Sequence, residues 1–174
     1  MISPEGTRKG GIVVRRKPIL AAVIGLTLLW SDGVSAADQL AGRASVIDGD
    51  TLEIHGVRIR LFAIDAPEGA QRCKDAAGAH WRCGRAAACA LPDRIGTATV
   101  TCDPRDRDRY GRVVAVCWAR GVDLNEWLVR EGWVVAYRSF SRVYVRAEAS
   151  GRAEGRGIWA GTFDLPADWR RARK

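Results

Sequence analysis

A chain of 174 residues suffices for one domain with a real core, without metal or disulfide staples. Hydrophobic residues at 47% and charged residues at 28% exclude a disordered or fibrous chain. The net charge of +8 directs attention to polyanionic partners rather than cationic ones.

The first 36 residues read as a secretory signal. Arg8, Lys9, Arg15, Arg16 and Lys17 precede an apolar run, "ILAAVIGLTLLW", and then "SDGVSAAD". Val34-Ser35-Ala36 fits cleavage after Ala36, and a cut after Ala37 fits nearly as well. The 12-residue run falls short of the roughly 20 residues that span a bilayer. An uncleaved anchor is the alternative; export, to the periplasm or the medium, is the expectation, with no stable membrane span after signal removal. These residues hold five basic and two acidic side chains, so 23 basic and 18 acidic remain, a net +5. Of the 28 basic residues 24 are Arg, whose planar fork suits phosphate, although base composition of the genome produces the same bias.

Residues 42–49 read as a first strand, 51–55 as a second and 57–64 as a third. His55-Gly56 joins the last two as a hairpin. Residues 69–81 are small and polar, a loop. The Ala-rich stretch 84–95 reads as a helix weakened by Pro92. Residues 97–102 and 113–119 are strands rich in β-branched residues, joined by the turn-prone "DPRDRDRYGR". In "DLNEWLVREG", Asp123 caps a helix, Glu126 completes a capping box and Gly132 stops it. A last helix falls within 144–154, and residues 166–174 form a basic tail whose end, "WRRARK", reads as disordered. The order specifies an α+β protein, mainly β: a five-stranded Greek-key barrel of the oligonucleotide-binding type with about three helices, spanning 37–165.

The acids of "VIDGDTLEIHGVRIRLFAIDAPE" stand out. A hairpin of the second and third strands brings its open ends together, so Asp50 and Asp65 become neighbours. Two carboxylates with backbone carbonyls and water suit a hard cation such as calcium. The competing reading makes both ordinary turn residues. Arg60, inside the third strand, is solvated, stacked on an aromatic, paired with these acids or aimed at an anionic ligand. It shares a strand face with Arg58, Phe62 and Ile64, opposite Val57, Ile59, Leu61 and Ala63. Arg112 is a second such cation or merely balances Asp106 and Asp108. Glu68, just past Pro67, is placed to take a proton from water beside a metal. Acids, metal, two arginines and a base together suit phosphodiester hydrolysis. His55 and His80 lack any nucleophile context.

"VIDGDT", "RIRLFAIDAPE", "DRYGR", "LNEWLVREG" and "GIW" closely resemble, in order, the staphylococcal nuclease-like (thermonuclease) family, over residues 44–159. The resemblance implies an oligonucleotide-binding-type barrel with helices that cleaves DNA or RNA phosphodiesters with Ca2+. It implies Asp50 and Asp65 as calcium carboxylates, Glu68 as general base, and Arg60 and Arg112 as phosphate-binding arginines. Ala66 stands where the family often has Thr, and would serve through its backbone carbonyl. Arg109 and Tyr137 are the expected substrate contacts; a second family tyrosine falls near Ser139 and has no match.

Five cysteines lie beyond the signal, and export favours two bridges and one free thiol. Cys102 and Cys117 flank the hairpin centred between Arg109 and Tyr110 and are expected as opposed partners. Cys73 and Cys83 would staple the loop after the acids, and Cys89 is the odd thiol, expected to be a small buried residue. Trp118, Trp127, Trp133 and Trp159 are expected in the core, with Trp81 the loop aromatic to follow. The whole reads as an exported, monomeric, calcium-dependent nuclease. The rivals are a non-catalytic nucleic-acid-binding barrel and a protein-binding module of the cell envelope.

Overall fold

The computed structural model describes residues 40–173; the expected signal segment lies outside them. β1 (Leu40–Gly42) and β2 (Ala44–Asp48) are consecutive segments separated only by Arg43. β3 (Thr51–Ile54) and β4 (Val57–Leu61) form the expected hairpin. His55 and Gly56 take φ of +51° and +78°, the left-handed pair that a two-residue hairpin turn requires. β5 (Ile64–Asp65) follows a break at Ala63, whose φ is +59°. This break corrects the face assignment: alternation puts Ile64 beside Arg60, but the turned backbone sends Ile64 fully into the core.

The expected loop contains a small hairpin, β6 (Cys73–Lys74) with β7 (His80–Trp81), closed by the Cys73–Cys83 disulfide. α1 (Cys83–Ile95) accommodates Pro92 near its C-terminal end. β8 (Val100–Arg107) runs farther into the turn-prone stretch than its composition suggests, because a bulge between Pro104 and Asp106 absorbs the proline. β9 (Val113–Ala119) and β10 (Val122–Asp123) follow. Cys102 stands opposite Cys117 across β8 and β9, and the two are bridged. α2 (Leu124–Arg130) starts as expected, with the Asp123 carboxylate accepting from the Glu126 N–H at 2.9 Å. β11 (Val135–Ala136), α3 (Val145–Ala153), a 3-10 turn (Gly157–Ala160) and α4 (Pro166–Arg171) complete the chain. The basic tail is therefore helical over most of its length.

The main sheet runs β1-β8-β9-β4-β3-β2, with β10 also beside β9. β4 and β9 are parallel and the other pairs antiparallel. Its two outer members, β1 and β2, are successive pieces of chain, so the sheet closes on itself as a barrel. Leu52, Ile54, Ile59, Leu61, Val100 and Ala115 fill it, against Leu124 and Leu128 of α2. Each large apolar side chain contributes roughly 1.5–3 kcal/mol by leaving water. A second, smaller cluster joins the Cys73–Cys83 bridge to Val135 and Ile158, and takes in Trp81 and Trp159. Trp127 and Trp133 pack half-buried on the barrel core. Among the described residues no helix is long and apolar enough to cross a membrane. Cys89 is the free thiol among them, but it is exposed on α1 rather than buried.

Candidate active site

Asp50 and Asp65 are the buried acids of the barrel rim, with 5% and 1% of their surface exposed. Each is fixed by backbone pairing. The Asp50 carbonyl accepts from the Leu61 N–H at 2.8 Å, tying the start of β3 to the end of β4. Asp65 sits opposite Val135, on the pairing of β5 with β11. One guanidinium joins the two: Arg60 Nη2 lies 3.2 Å from Asp50 and 3.4 Å from Asp65. Of the four fates open to Arg60, pairing with the acids is the one observed. Arg60 and Thr51 are cross-strand partners in β4 and β3.

Arg112 reaches the same cluster from the β8–β9 turn. Its Nε donates to Asp108 Oδ2 at 2.7 Å and its Nη1 to Thr51 Oγ1 at 3.4 Å. Thr51 in turn donates to Asp50 at 3.1 Å. Burial acts to raise the Asp108 carboxyl, but hydrogen bonds from Arg112 and from the Arg112 and Tyr110 amides outweigh it and hold the group below its ordinary value. Arg112 thus satisfies Asp108, as a loop cation would, while still lining the cleft.

Ala66 is buried, and its N–H donates to Asp50 Oδ2 at 3.2 Å. Glu68 is half-buried and its backbone is held closely. Its N–H donates to Gln71 Oε1 at 3.2 Å and its carbonyl accepts from the Gln71 N–H at 2.7 Å. Behind it α1 approaches so tightly that a Cβ on Gly84 would lie 1.8 Å from the Glu68 carbonyl oxygen. Gln71 itself is fully buried and also donates to the Asp164 carbonyl, just before α4.

Arg170 of α4 is the residue that sequence reading missed. Its Nη1 and Nη2 grip the two oxygens of Asp65 at 3.1 and 2.9 Å, and Nη1 also reaches Glu68 Oε1 at 2.8 Å. Asp65 chiefly raises the pKa of this guanidinium above its ordinary range; burial opposes the shift and Glu68 adds to it. No local signal marks Arg170 in a run of basic residues, since its partners lie more than 100 positions away in sequence.

Part of this network opens on a cleft of about 660 Å³, with Asp50 and Asp65 buried behind the side chains that line it. Arg60, Glu68, Arg109, Arg112, Tyr137, Arg170 and Arg171 line it, together with two aromatics that sequence reading did not single out, Tyr110 and Phe140. Arg109 stacks over Tyr110 at 4.9 Å. Tyr137 is tied to the barrel by its N–H bond to the Ala63 carbonyl, and its ring lies within 14° of parallel to that of Phe140. Phe140 packs edge-on against Phe62 and is half exposed. Trp81, on β7, is not among the lining residues.

The acids suit a hard divalent cation. Both are buried oxygen donors, and Asp50 is pushed up to about 6, chiefly by burial, with Arg60 opposing and Asp48 and Asp65 adding repulsion. A carboxylate short of positive charge despite an adjacent arginine is one that a divalent ion would relieve. Among the described residues no group of three or more His, Cys, Asp and Glu side chains is disposed to hold a metal. Two carboxylates would therefore need oxygens from backbone, water or substrate to complete the shell.

Residues 58–161 match the family described as staphylococcal nuclease homologue. The chain is 39% identical over 160 residues to the succinoglycan biosynthesis protein ExoI of Rhizobium meliloti, covering 90% of this chain and 82% of that one. It is 32% identical over 145 residues to an "uncharacterized endonuclease" of Escherichia coli, covering 79% and 88%. To the micrococcal nuclease of Shigella flexneri it is 28% identical over 173 residues, covering 89% and 94%. With a closed barrel under an arginine-lined acidic cleft, and with this match over most of the barrel, the chain belongs to the staphylococcal nuclease homologue family.

Proposed function

We propose that the protein is an exported, calcium-dependent nuclease that hydrolyses phosphodiester bonds of DNA or RNA. The observation that carries this reading is the continuous polar network from Arg112 through Thr51, Asp50, Arg60 and Asp65 to Arg170 and Glu68. It joins two buried acids to three arginines and a third carboxylate that line one cleft. A binding module needs the arginines but has no use for the buried acids.

Asp50 and Asp65 would hold the metal, with the Ala66 carbonyl as a further oxygen. When bound, the ion supplies Lewis-acid stabilisation of phosphate charge and eases ionisation of water. Arg60 and Arg112 bind the non-bridging phosphate oxygens and neutralise charge that grows on them during displacement. Glu68 takes the proton from the attacking water; its backbone, pinned by Gln71 and Gly84, keeps it at the mouth of the acid pair. Arg109 contacts neighbouring phosphates, and Tyr137 with Phe140 offers a stacking face to an unpaired base. The likeness to nucleases of Shigella and Escherichia supports this reading, and so does the signal-like start of the chain.

A divalent-metal titration of hydrolysis on single-stranded DNA, duplex DNA and RNA, with a chelator control, tests it. Cleavage that rises with calcium and stops with chelator is expected. Cleavage that survives chelation, or its absence at saturating calcium, contradicts the proposal.

A further inference from the structure

The C-terminal helix does more than cover the barrel. Arg170 engages both oxygens of Asp65 and one of Glu68, so a single side chain occupies a proposed metal ligand and the proposed base together. The segment is placed for this contact by anchors of its own. Pro166 is buried, and the Asp164 carbonyl is held at 2.7 Å by Gln71, the same side chain that fixes the Glu68 backbone. Arg170 is about one-third exposed, so solvent reaches the contact and the guanidinium can leave without unfolding the barrel. The helix lies beyond residue 161, where the match to the family ends.

A guanidinium in bidentate contact with a carboxylate and a divalent cation on that carboxylate are alternatives. We propose that Arg170 is a built-in latch: it competes with the metal for Asp65 and holds Glu68 out of service until metal displaces it. This inference rests on the reading of Asp65 as a metal ligand. The freed guanidinium would still face the arginine-lined cleft, where substrate phosphate offers it a new partner. Metal and nucleic acid would then open the latch together, each taking one side of the Asp65–Arg170 pair.

Calcium binding to the protein without nucleic acid provides the test, with a second readout that needs no variant. In calorimetric titrations Arg170→Ala is expected to bind calcium about tenfold more tightly than wild type, because the competing cation is gone. In wild type, calcium is expected to speed amide hydrogen exchange in residues 164–173 while the barrel strands stay protected. Both results are required. Equal or weaker calcium binding by Arg170→Ala, or exchange in α4 that calcium leaves unchanged or slows, overturns the latch. If Asp65→Asn abolishes calcium binding in either of those cases, the metal site stands and only the latch falls. If wild type and Arg170→Ala both bind no calcium, the metal reading falls and the latch with it.

Discussion

The floor and the rim of the cleft are built in opposite ways. Beneath the floor, behind Arg60 and Arg170, Asp50 and Asp65 are almost fully buried, held by strand pairing and cross-linked by Arg60. On the rim, Tyr110 is 70% exposed and Phe140 50%, on turns held by their own local hydrogen bonds rather than by strand pairing. Buried charges must have fixed partners, so the floor is pre-organised and any change there is felt by the chemistry. Exposed aromatics retain surface to give to a ligand, so the rim is suited to binding. The contrast assigns rate to the floor and affinity to the rim.

The sharpest way to break that division is Glu68→Gln. The substitution keeps shape while removing the proton acceptor, and kcat is expected to fall by roughly 10² to 10⁴ with nucleic-acid affinity nearly unchanged. Steady-state kinetics beside equilibrium binding read the two separately; a wild-type rate would remove Glu68 as the base. Next comes the scaffold beneath both regions. Replacing Cys102 and Cys117 together with Ala opens a 15-residue loop and is expected to cost about 3 kcal/mol in denaturant unfolding, with little change in kcat at low temperature.

On the rim, Phe140→Ala is expected to raise KM about fivefold for single-stranded substrate, corresponding to about 1 kcal/mol of lost stacking, and to leave kcat within twofold. A fall in kcat with constant KM would place Phe140 in the chemistry instead. The smallest effect concerns Asp108, whose carboxyl lies below its ordinary 3.8 and which positions Arg112. A depressed acid stabilises the fold above its unfolded value, and that contribution disappears as pH falls through its lower folded value. The stability difference between wild type and Asp108→Asn should therefore hold above about pH 4 and vanish in more acid solution; a difference that grows on acidification would reverse the sign.

How much of this was legible in the sequence depended on how far each feature reaches along the chain. The His55-Gly56 turn is local, and from it the closeness of Asp50 to Asp65 follows by strand pairing alone. The Cys102–Cys117 bridge follows from the register of a single hairpin. Ile64 was misplaced because alternation assumes an unbroken strand, and the left-handed Ala63 breaks it. β8 outran its expected end because a bulge accommodates Pro104, a residue that composition alone reads as a stop. The free Cys89 was expected inside because cysteine is usually buried, but its position on α1 faces outward. Arg170 was out of reach altogether: only the closed barrel brings α4 back over Asp65 and Glu68.

The two buried acids are the centre of the account, and direct calcium binding tests them without reference to turnover. Titration of wild type, Asp50→Asn and Asp65→Asn by calorimetry, with folding checked by circular dichroism, is the decisive measurement. Saturable binding by wild type, lost or severely weakened in both folded variants, is the expected result. Undiminished binding in either variant, or none in wild type and Arg170→Ala alike, would contradict the proposed metal site.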